Sequence, residues 1–256
     1  MDAGLRDRVV LITGAAGGAG PTVAAAFAAE GAVVVLHQRS AGSPDAPTRA
    51  ERMATEIVDA GGRAMAVEAD LGSSAQVTAM VDRIAGAHGP VAVLVTAASA
   101  YRNDAFVDVA DEAWASVVDN MLGATFRACR AVAPGMAEAG WGRIVNIAAR
   151  SGLVGVAKAA HYAAAKAGII GLTASLAKEL GPDGVLVNAV APTQILTHRD
   201  GRPSIPPERQ ESLTKSIPLR RLATPEDLAA LVVWLGSAAN TYVSGETITL
   251  GGGAQS

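Results

Sequence analysis

Val9-Val10-Leu11-Ile12-Thr13-Gly14-Ala15-Ala16-Gly17-Gly18-Ala19-Gly20-Pro21 runs from a short β-branched apolar stretch into four glycines and a proline. Residues 9–12 fit one buried strand, and the glycines oppose its continuation as an apolar helix. Glycine permits a tight turn and lets the backbone approach a diphosphate, while a helix opening at Pro21 offers free N–H groups and positive potential. No charge occurs from Val9 to Ala29, behind Arg6 and Arg8, so the stretch superficially resembles a leader or a membrane span. The glycines and Pro21 interrupt it where such a segment is continuous, and the expectation is a soluble, cytoplasmic protein.

Outward from this stretch the same grammar repeats. Short β-branched runs at 32–36, 64–67, 91–95, 144–147 and 185–190 alternate with helical spacing at 48–60, 73–87, 111–139 and 159–180. Strand-helix alternation of this kind specifies an α/β fold, a doubly wound parallel sheet of Rossmann type with helices on both faces, here in one domain over 1–256. Ser73 with Gln76 reads as a capping box, and Thr224, Pro225, Glu226 and Asp227 supply a cap, an N1 proline and first-turn acids. Residues 193–222, with Pro203, Pro206, Pro207 and Pro218, break the alternation and are expected to form an excursion over the site.

Composition narrows the partners. The 256 residues are 50% hydrophobic but 4% aromatic, with 28 Gly, so the core is expected to be close-packed Ala, Val, Leu and Ile. A net charge of −3 without long runs of one sign gives no basic footprint for nucleic acid. The single cysteine, Cys129, cannot form an internal disulfide and reads as a small buried apolar residue in a reducing compartment. No cluster with metal-ligand spacing accompanies it.

At the end of the second predicted strand the chain reads Leu36-His37-Gln38-Arg39-Ser40, without the carboxylate that would accept hydrogen bonds from a ribose 2′-hydroxyl. Arg39 and Ser40 suit a 2′-phosphate instead, which favours NADP(H) over NAD(H); the bland alternative is a solvated arginine at a strand end. Tyr162-Ala163-Ala164-Ala165-Lys166 lies in a helix-forming stretch, and its i to i+4 spacing puts phenol and ammonium on one face. A neighbouring ammonium favours phenolate and brings a tyrosine toward the working range of an acid/base catalyst. Alone the pair would be a surface contact, but after the fifth strand of a nucleotide-binding sheet it reads as catalytic.

In these features, and in Asp70-Leu71, Asn120, Asn188-Ala189-Val190-Ala191-Pro192 and the segment 242–253, the chain resembles the short-chain dehydrogenase/reductase family along essentially its whole length. Its flavour is that of the 3-oxoacyl-thioester reductases. The resemblance implies that Asp70 contacts adenine, Asn120 supports a water-linked proton relay, and Tyr162 exchanges the proton. It also implies that Lys166 binds the nicotinamide ribose and depresses the tyrosine pKa, with Ile195 and Thr197 near the nicotinamide. Gly14, Gly18, Ala19, Gly20, His37, Arg39 and Ser40 would be cofactor contacts, as would Leu71, Ala97 and Pro192. A homodimer or homotetramer is implied as well.

Three departures qualify the likeness. Ala149 stands where the family has its substrate-polarising serine, Thr96-Ala97-Ala98-Ser99 replaces Asn-Asn-Ala-Gly, and Thr193 follows Pro192 in place of glycine. Losing one polarising donor typically slows such chemistry about 100- to 1000-fold. Ser151, two positions on, would share a face with Ala149 if the backbone is still extended, making it a candidate catalytic substitute; a turn-capping serine is the alternative. His161 is a further donor candidate, but its adjacency to Tyr162 on a helix points it elsewhere.

The leading expectation is an NADP(H)-dependent oxidoreductase that reduces a ketone with Tyr162 as proton donor. The competing one is a member turned to a non-redox step such as dehydration, or to ligand binding. Arg199, Arg202, Arg209, Lys215, Arg220 and Arg221 in the excursion suggest an anionic or carrier-linked substrate, although a solvated lid explains them equally. Tyr101 and Arg102 are expected to border the pocket, because ligands bind outside the carboxyl ends of parallel strands.

Overall fold

The computed structural model describes residues 3–39, 47–99, 101–199 and 202–254. Six strands, β1 (Val9–Thr13), β2 (Val33–Gln38), β3 (Arg63–Glu68), β4 (Val91–Thr96), β5 (Gly142–Ile147) and β6 (Val185–Pro192), join a C-terminal strand, Thr247–Leu250, in one parallel sheet. The spatial order is β3-β2-β1-β4-β5-β6 followed by the C-terminal strand. The chain is therefore the single-domain, doubly wound α/β fold that the alternation predicts. The C-terminal strand was not among the predicted runs; Thr247–Leu250 is only four residues long and half-buried.

Nine α-helices are described: α1 (Gly20–Ala29), α2 (Arg49–Asp59), α3 (Ser74–His88), α4 (Asp111–Val118), α5 (Ala124–Glu138), α6 (Ser151–Val154), α7 (Ala160–Leu180), α8 (Pro207–Ser216) and α9 (Pro225–Gly236). The sheet divides them by the pleat. Val10 and Ile12 join the cluster with Phe27 of α1, Met53 of α2 and Val232 of α9. Val9 and Leu11, pointing the other way, pack with Met80 of α3 and Val132 of α5. Apolar layers thus cover both faces, which is why the strands read as continuous hydrophobic runs. A third cluster joins Val117 of α4, Met121, and Ala165 and Ile169 of α7.

Buried polar groups tie the strands to one another. Thr96 Oγ1 donates 2.8 Å to Asn146 Oδ1, and Asn146 Nδ2 donates 2.9 Å to Thr173 Oγ1, linking β4, β5 and α7. Asn188 Nδ2 donates 2.7 Å to Val243 O, and its Oδ1 accepts the Glu246 N–H at 3.1 Å, which holds the approach to the C-terminal strand.

The 111–139 stretch is not one regular helix. Between α4 and α5 the segment Asp119–Gly123 is a π turn, an inserted residue that the helical periodicity did not reveal. The Thr224 capping box is complete, with Asp227 Oδ2 accepting the Thr224 N–H at 2.8 Å. At Ser73 only half of the predicted box forms. Ser73 Oγ accepts the Gln76 N–H at 3.4 Å, but the Gln76 side chain turns to the Asp70 N–H at 2.8 Å.

Residues 193–222 do leave the sheet. They carry a parallel bridge between Ile195 and Ala223, two-residue strands His198–Arg199 and Arg202–Pro203, and α8. The apolar-looking stretch near the start resolves into β1, the glycine turn and α1. No helix among the described residues is long and apolar enough to cross a membrane.

Candidate functional site

A cleft of about 790 Å³ opens at the carboxyl ends of β1, β2 and β4, where neighbouring crossovers run in opposite directions. Its floor is the glycine turn. Gly14 has φ +67°, and a Cβ there would lie 2.7 Å from Ala98 Cα; a Cβ on Gly20 would lie 1.9 Å from Ala15 O. Only glycine fits either position. Gly17 and Gly20 N–H groups close turns onto Gly14 O and Gly17 O at 2.9 Å. The Gly18 and Ala19 N–H groups have no partner among the described residues, and both residues line the cleft at the start of α1. Two free donors on a positive helix end suit a diphosphate, so the turn fits the cofactor that the sequence implies.

His37 braces this turn. Its Nδ1 accepts the Gly14 N–H at 3.2 Å, its Nε2 lies 3.0 Å from Ala69 O, and its own carbonyl accepts the Ala15 N–H at 3.0 Å. Those bonds assign the neutral tautomer with the proton on Nε2. Burial pushes the imidazole pKa below its ordinary value, outweighing the Ala69 hydrogen bond that raises it. The residue borders the cleft, yet both ring nitrogens are committed to the protein.

Arg39 borders the β2 end of the cleft together with Arg49, which no sequence motif marks. The Arg39 guanidinium hydrogen-bonds Asn120 Oδ1 and lies 3.8 Å from Asp70 Oδ1. Asp70 turns its carboxylate onto the Gly72 N–H at 2.9 Å, while Leu71 lines the wall. Ala97, Pro192, Ile195 and Thr197 also line the cleft. A Cβ on Gly18 would meet Thr197 Oγ1 at 3.1 Å, so the start of the excursion folds over the glycine turn. Ser40 lies outside the described residues.

Tyr162 and Lys166 stand one turn apart near the start of α7. Lys166 Nζ donates 2.7 Å to Ile147 O, at a residue that lines the cleft, and lies 5.8 Å from the Tyr162 ring centroid. Gly152 lets α6 pack directly on the α7 backbone here, because a Cβ there would come within 2.8 Å of the Lys166 carbonyl carbon. Burial pushes the Lys166 ammonium down to about 8. Tyr162 differs from expectation: its pKa is raised, by burial first and then by Tyr101, with a hydrogen bond from the Ser99 side chain opposing. Desolvation is the largest cause, and Lys166 is not among the groups that shift the phenol. Tyr101 packs edge-on against Tyr162 with ring centroids 5.1 Å apart, and Arg102 Nε pairs with Asp104 Oδ2 at 3.1 Å.

The site differs from the sequence reading at two further positions. Asn120 faces Arg39 across the cleft and is held by Ser116 one turn earlier, whereas its neighbour Met121 is fully buried in the cluster that holds Tyr162, Ala165 and Ile169. The π turn decides which neighbour faces which way: the Asn120 side chain is directed to Arg39, and the Met121 side chain is the one on the Tyr162 side. Ser151 does not share a face with Ala149. Arg150 is already in helical conformation and Ser151 opens α6, so the extended backbone on which that inference depended is absent.

Ser99, which the sequence reading treated only as a departure from a motif, borders both the cleft and the phenol. His161 is fully buried with Nε2 3.3 Å from Asp104 Oδ2, away from the Lys166 side of its helix. In the excursion, Lys215 pairs with Glu211 at 2.6 Å and Arg221 Nη2 with Asp227 Oδ1 at 2.8 Å, which leaves less free positive charge than the composition suggested. No group of three or more potential metal ligands occurs among the described residues.

Comparison with known proteins agrees with this fold. A family profile described as Enoyl-(Acyl carrier protein) reductase matches residues 14–255. The chain is 36% identical over 249 residues to the 3-oxoacyl-(acyl-carrier-protein) reductase FabG of Pseudomonas aeruginosa, covering 97% of this chain and 98% of the relative. It is 35% identical to Nodulation protein G of Azospirillum brasilense, with the same coverage. It is 33% identical over 253 residues to D-threitol dehydrogenase of Mycolicibacterium smegmatis, covering 99% of this chain and 95% of the relative.

Proposed function

The chain belongs to the short-chain dehydrogenase/reductase family, and from that premise we propose that it is an NADP(H)-dependent oxidoreductase that reduces a ketone. The observation that carries the reading is the Tyr162 and Lys166 pair one helical turn apart, with Lys166 anchored on Ile147 at the edge of the cleft. The relatives named as reductase and dehydrogenase support chemistry at a carbonyl or hydroxyl carbon.

A reduced nicotinamide bound in the cleft supplies hydride. The chain's own residues do the rest. Gly18 and Ala19 offer N–H donors to the diphosphate, and Arg39 and Arg49 offer positive charge where no β2 carboxylate accepts a ribose hydroxyl. Tyr162 gives its hydroxyl proton to the substrate oxygen, and the Lys166 ammonium offsets the negative charge left on the phenolate. The substrate is a small ketone, anionic or carrier-linked, and the protein works in a reducing, cytoplasmic setting as a homodimer or homotetramer. Exposed Phe106, Val107, Trp114 and Phe126 around α4 and α5 support self-association.

A second reading rests on one observation. Ala149 stands where the family resemblance places a polarising serine, and Met121 presents a thioether to the cluster that holds Tyr162, so the hydroxyl next to the phenol is that of Ser99; this altered donor set favours a non-redox step or ligand binding. Calorimetric titration with NADPH and NADH, followed by absorbance at the nicotinamide band with a panel of ketones and quinones, decides between them. Tight NADPH binding with ketone-dependent oxidation is the expected result. Binding without turnover favours the second reading, and absence of binding overturns the cofactor assignment.

A further inference from the structure

Asn120 sits in the π turn, where its side chain is fixed from below. Nδ2 donates 2.7 Å to Ser116 O and 3.1 Å to Ser116 Oγ, so both amide protons have partners and Oδ1 is the atom left to face the cleft. That oxygen accepts a hydrogen bond from the Arg39 guanidinium, 81 positions away at the end of β2. Both residues line the same cleft, so the bond spans its adenosine end.

The chemistry of the acceptor matters. A carboxylate in this place would orient the guanidinium and cancel its charge together. A carboxamide oxygen engages one of five N–H donors and leaves the charge intact. Asp70, 3.8 Å from Arg39 and itself occupied by the Gly72 N–H, offsets that charge only partly. A long exposed arginine otherwise samples many rotamers and loses that freedom when an anion arrives. Held by Asn120, it loses part of that freedom before the ligand comes.

We propose that Asn120 is a positioning residue for cofactor choice: it aims Arg39 across the cleft and thereby sets the preference for adenosine bearing a 2′-phosphate over adenosine with a free 2′-hydroxyl. The proposal rests on the NADP(H) reading and deepens it, giving Asn120 a role at the opposite end of the cofactor from the proton relay that the family resemblance suggests.

The test is binding, independent of turnover. The full chain and its R39A, N120A, N120D and R39A/N120A variants are titrated by calorimetry with NADPH, NADH, adenosine 2′,5′-bisphosphate and adenosine 5′-monophosphate. N120A is expected to lower the NADPH-to-NADH affinity ratio about tenfold, the worth of one hydrogen bond to a charged group, with a parallel loss for the bisphosphate. N120D is nearly the same shape but pairs with Arg39 as an ion pair, and it is expected to lower the ratio further. In the R39A background N120A is expected to change the ratio no more, since the two residues act as one unit. A ratio that collapses in R39A but is unchanged in N120A overturns the proposal and leaves the NADP(H) reading standing. Independent, additive losses also overturn it. A ratio that R39A leaves unchanged overturns both.

Discussion

The Lys166 ammonium donates 2.7 Å to the carbonyl of Ile147, the last residue of β5, so the helix that carries the Tyr162 phenol is tied to the strand that ends two residues before Ala149. A single neutral oxygen cannot replace the hydration that burial removes, and the ammonium pKa falls from 10.5 to about 8. Between those two values the unfolded chain holds a proton that the folded chain has released. Lys166 therefore opposes folding most below pH 8, and its contribution to stability rises with pH through that window. Activity needs the ammonium and should move the other way. The expected outcome is a rate that falls above pH 8 while the stability of the wild type relative to K166M rises. Parallel pH series of initial rates and denaturant midpoints check both arms.

Ala149 is buried two residues beyond β5, at the position where the family resemblance places the polarising serine. If charge develops on a substrate oxygen beside Tyr162, a hydroxyl here supplies a donor that the natural chain lacks. A149S is expected to raise kcat at least about tenfold on a ketone that the wild type turns over slowly. An unchanged kcat would mean that polarisation is already supplied, with the Ser99 hydroxyl the nearest candidate, and S99A is the variant to measure next.

His37 joins the end of β2, the loop after β3 and the glycine turn through two ring nitrogens and a carbonyl. H37F keeps a flat ring but leaves the Gly14 N–H and the Ala69 carbonyl without these partners. A loss of roughly 1–3 kcal/mol in unfolding free energy is expected, together with weaker binding of NADPH and NADH alike. Denaturant melts and cofactor titrations measure the two effects. A selective loss of NADPH alone would contradict the bracing role.

Cys129 is fully buried on α5 against the sheet, and burial pushes its thiol up to about 12. A thiol-specific reagent is expected to leave the native protein unmodified and to label one sulfur per chain after denaturation. Rapid labelling of the native protein would show that α5 opens readily from the sheet.

Thr224 and Asp227 cap α9, which carries Leu228, Val232 and Leu235 into the cluster around Phe27. T224A is expected to cost about 1 kcal/mol, read as a lower thermal midpoint. Arg221 and the Thr224 N–H hold the Asp227 carboxyl at about 2, well below its usual 3.8. Its contribution is present above pH 3.8 and is lost as the pH falls toward 2, so the stability difference between wild type and D227N should shrink over that acid range.

Much of the architecture was legible because its signals are local. The β-branched runs, the glycines after β1 and the Thr224 cap each act within a few residues, and the sheet follows from their order. What was not legible depends on backbone direction or on distant partners. Ser151 fails as Ala149's neighbour because the chain bends at Arg150, a turn that no residue type in that stretch demands. His37 could be named as a cleft residue, but its bond to Ala69 crosses 32 positions and exists only once β2 and β3 pair. For Asn120 the sequence offers only the family resemblance, which says nothing of where its side chain points. The choice between Asn120 and Met121 is a matter of helix rotation, and an inserted residue in a helix leaves no periodic trace.

That inserted residue acts as a phase shifter. Before it, α4 turns Val117 toward α7; after it, α5 turns Ala128 and Val132 toward the sheet and α3. An ordinary helix turns about 100° per residue, so deleting a single position from Asp119–Gly123 would swing one half of the helix out of register with the other by that amount. Point substitutions change what a face presents, whereas a change of length here would change which face is presented. The chain length of this segment is accordingly a separate coordinate of variation, able to exchange the residue beside Tyr162 for the one beside Arg39 in a single step.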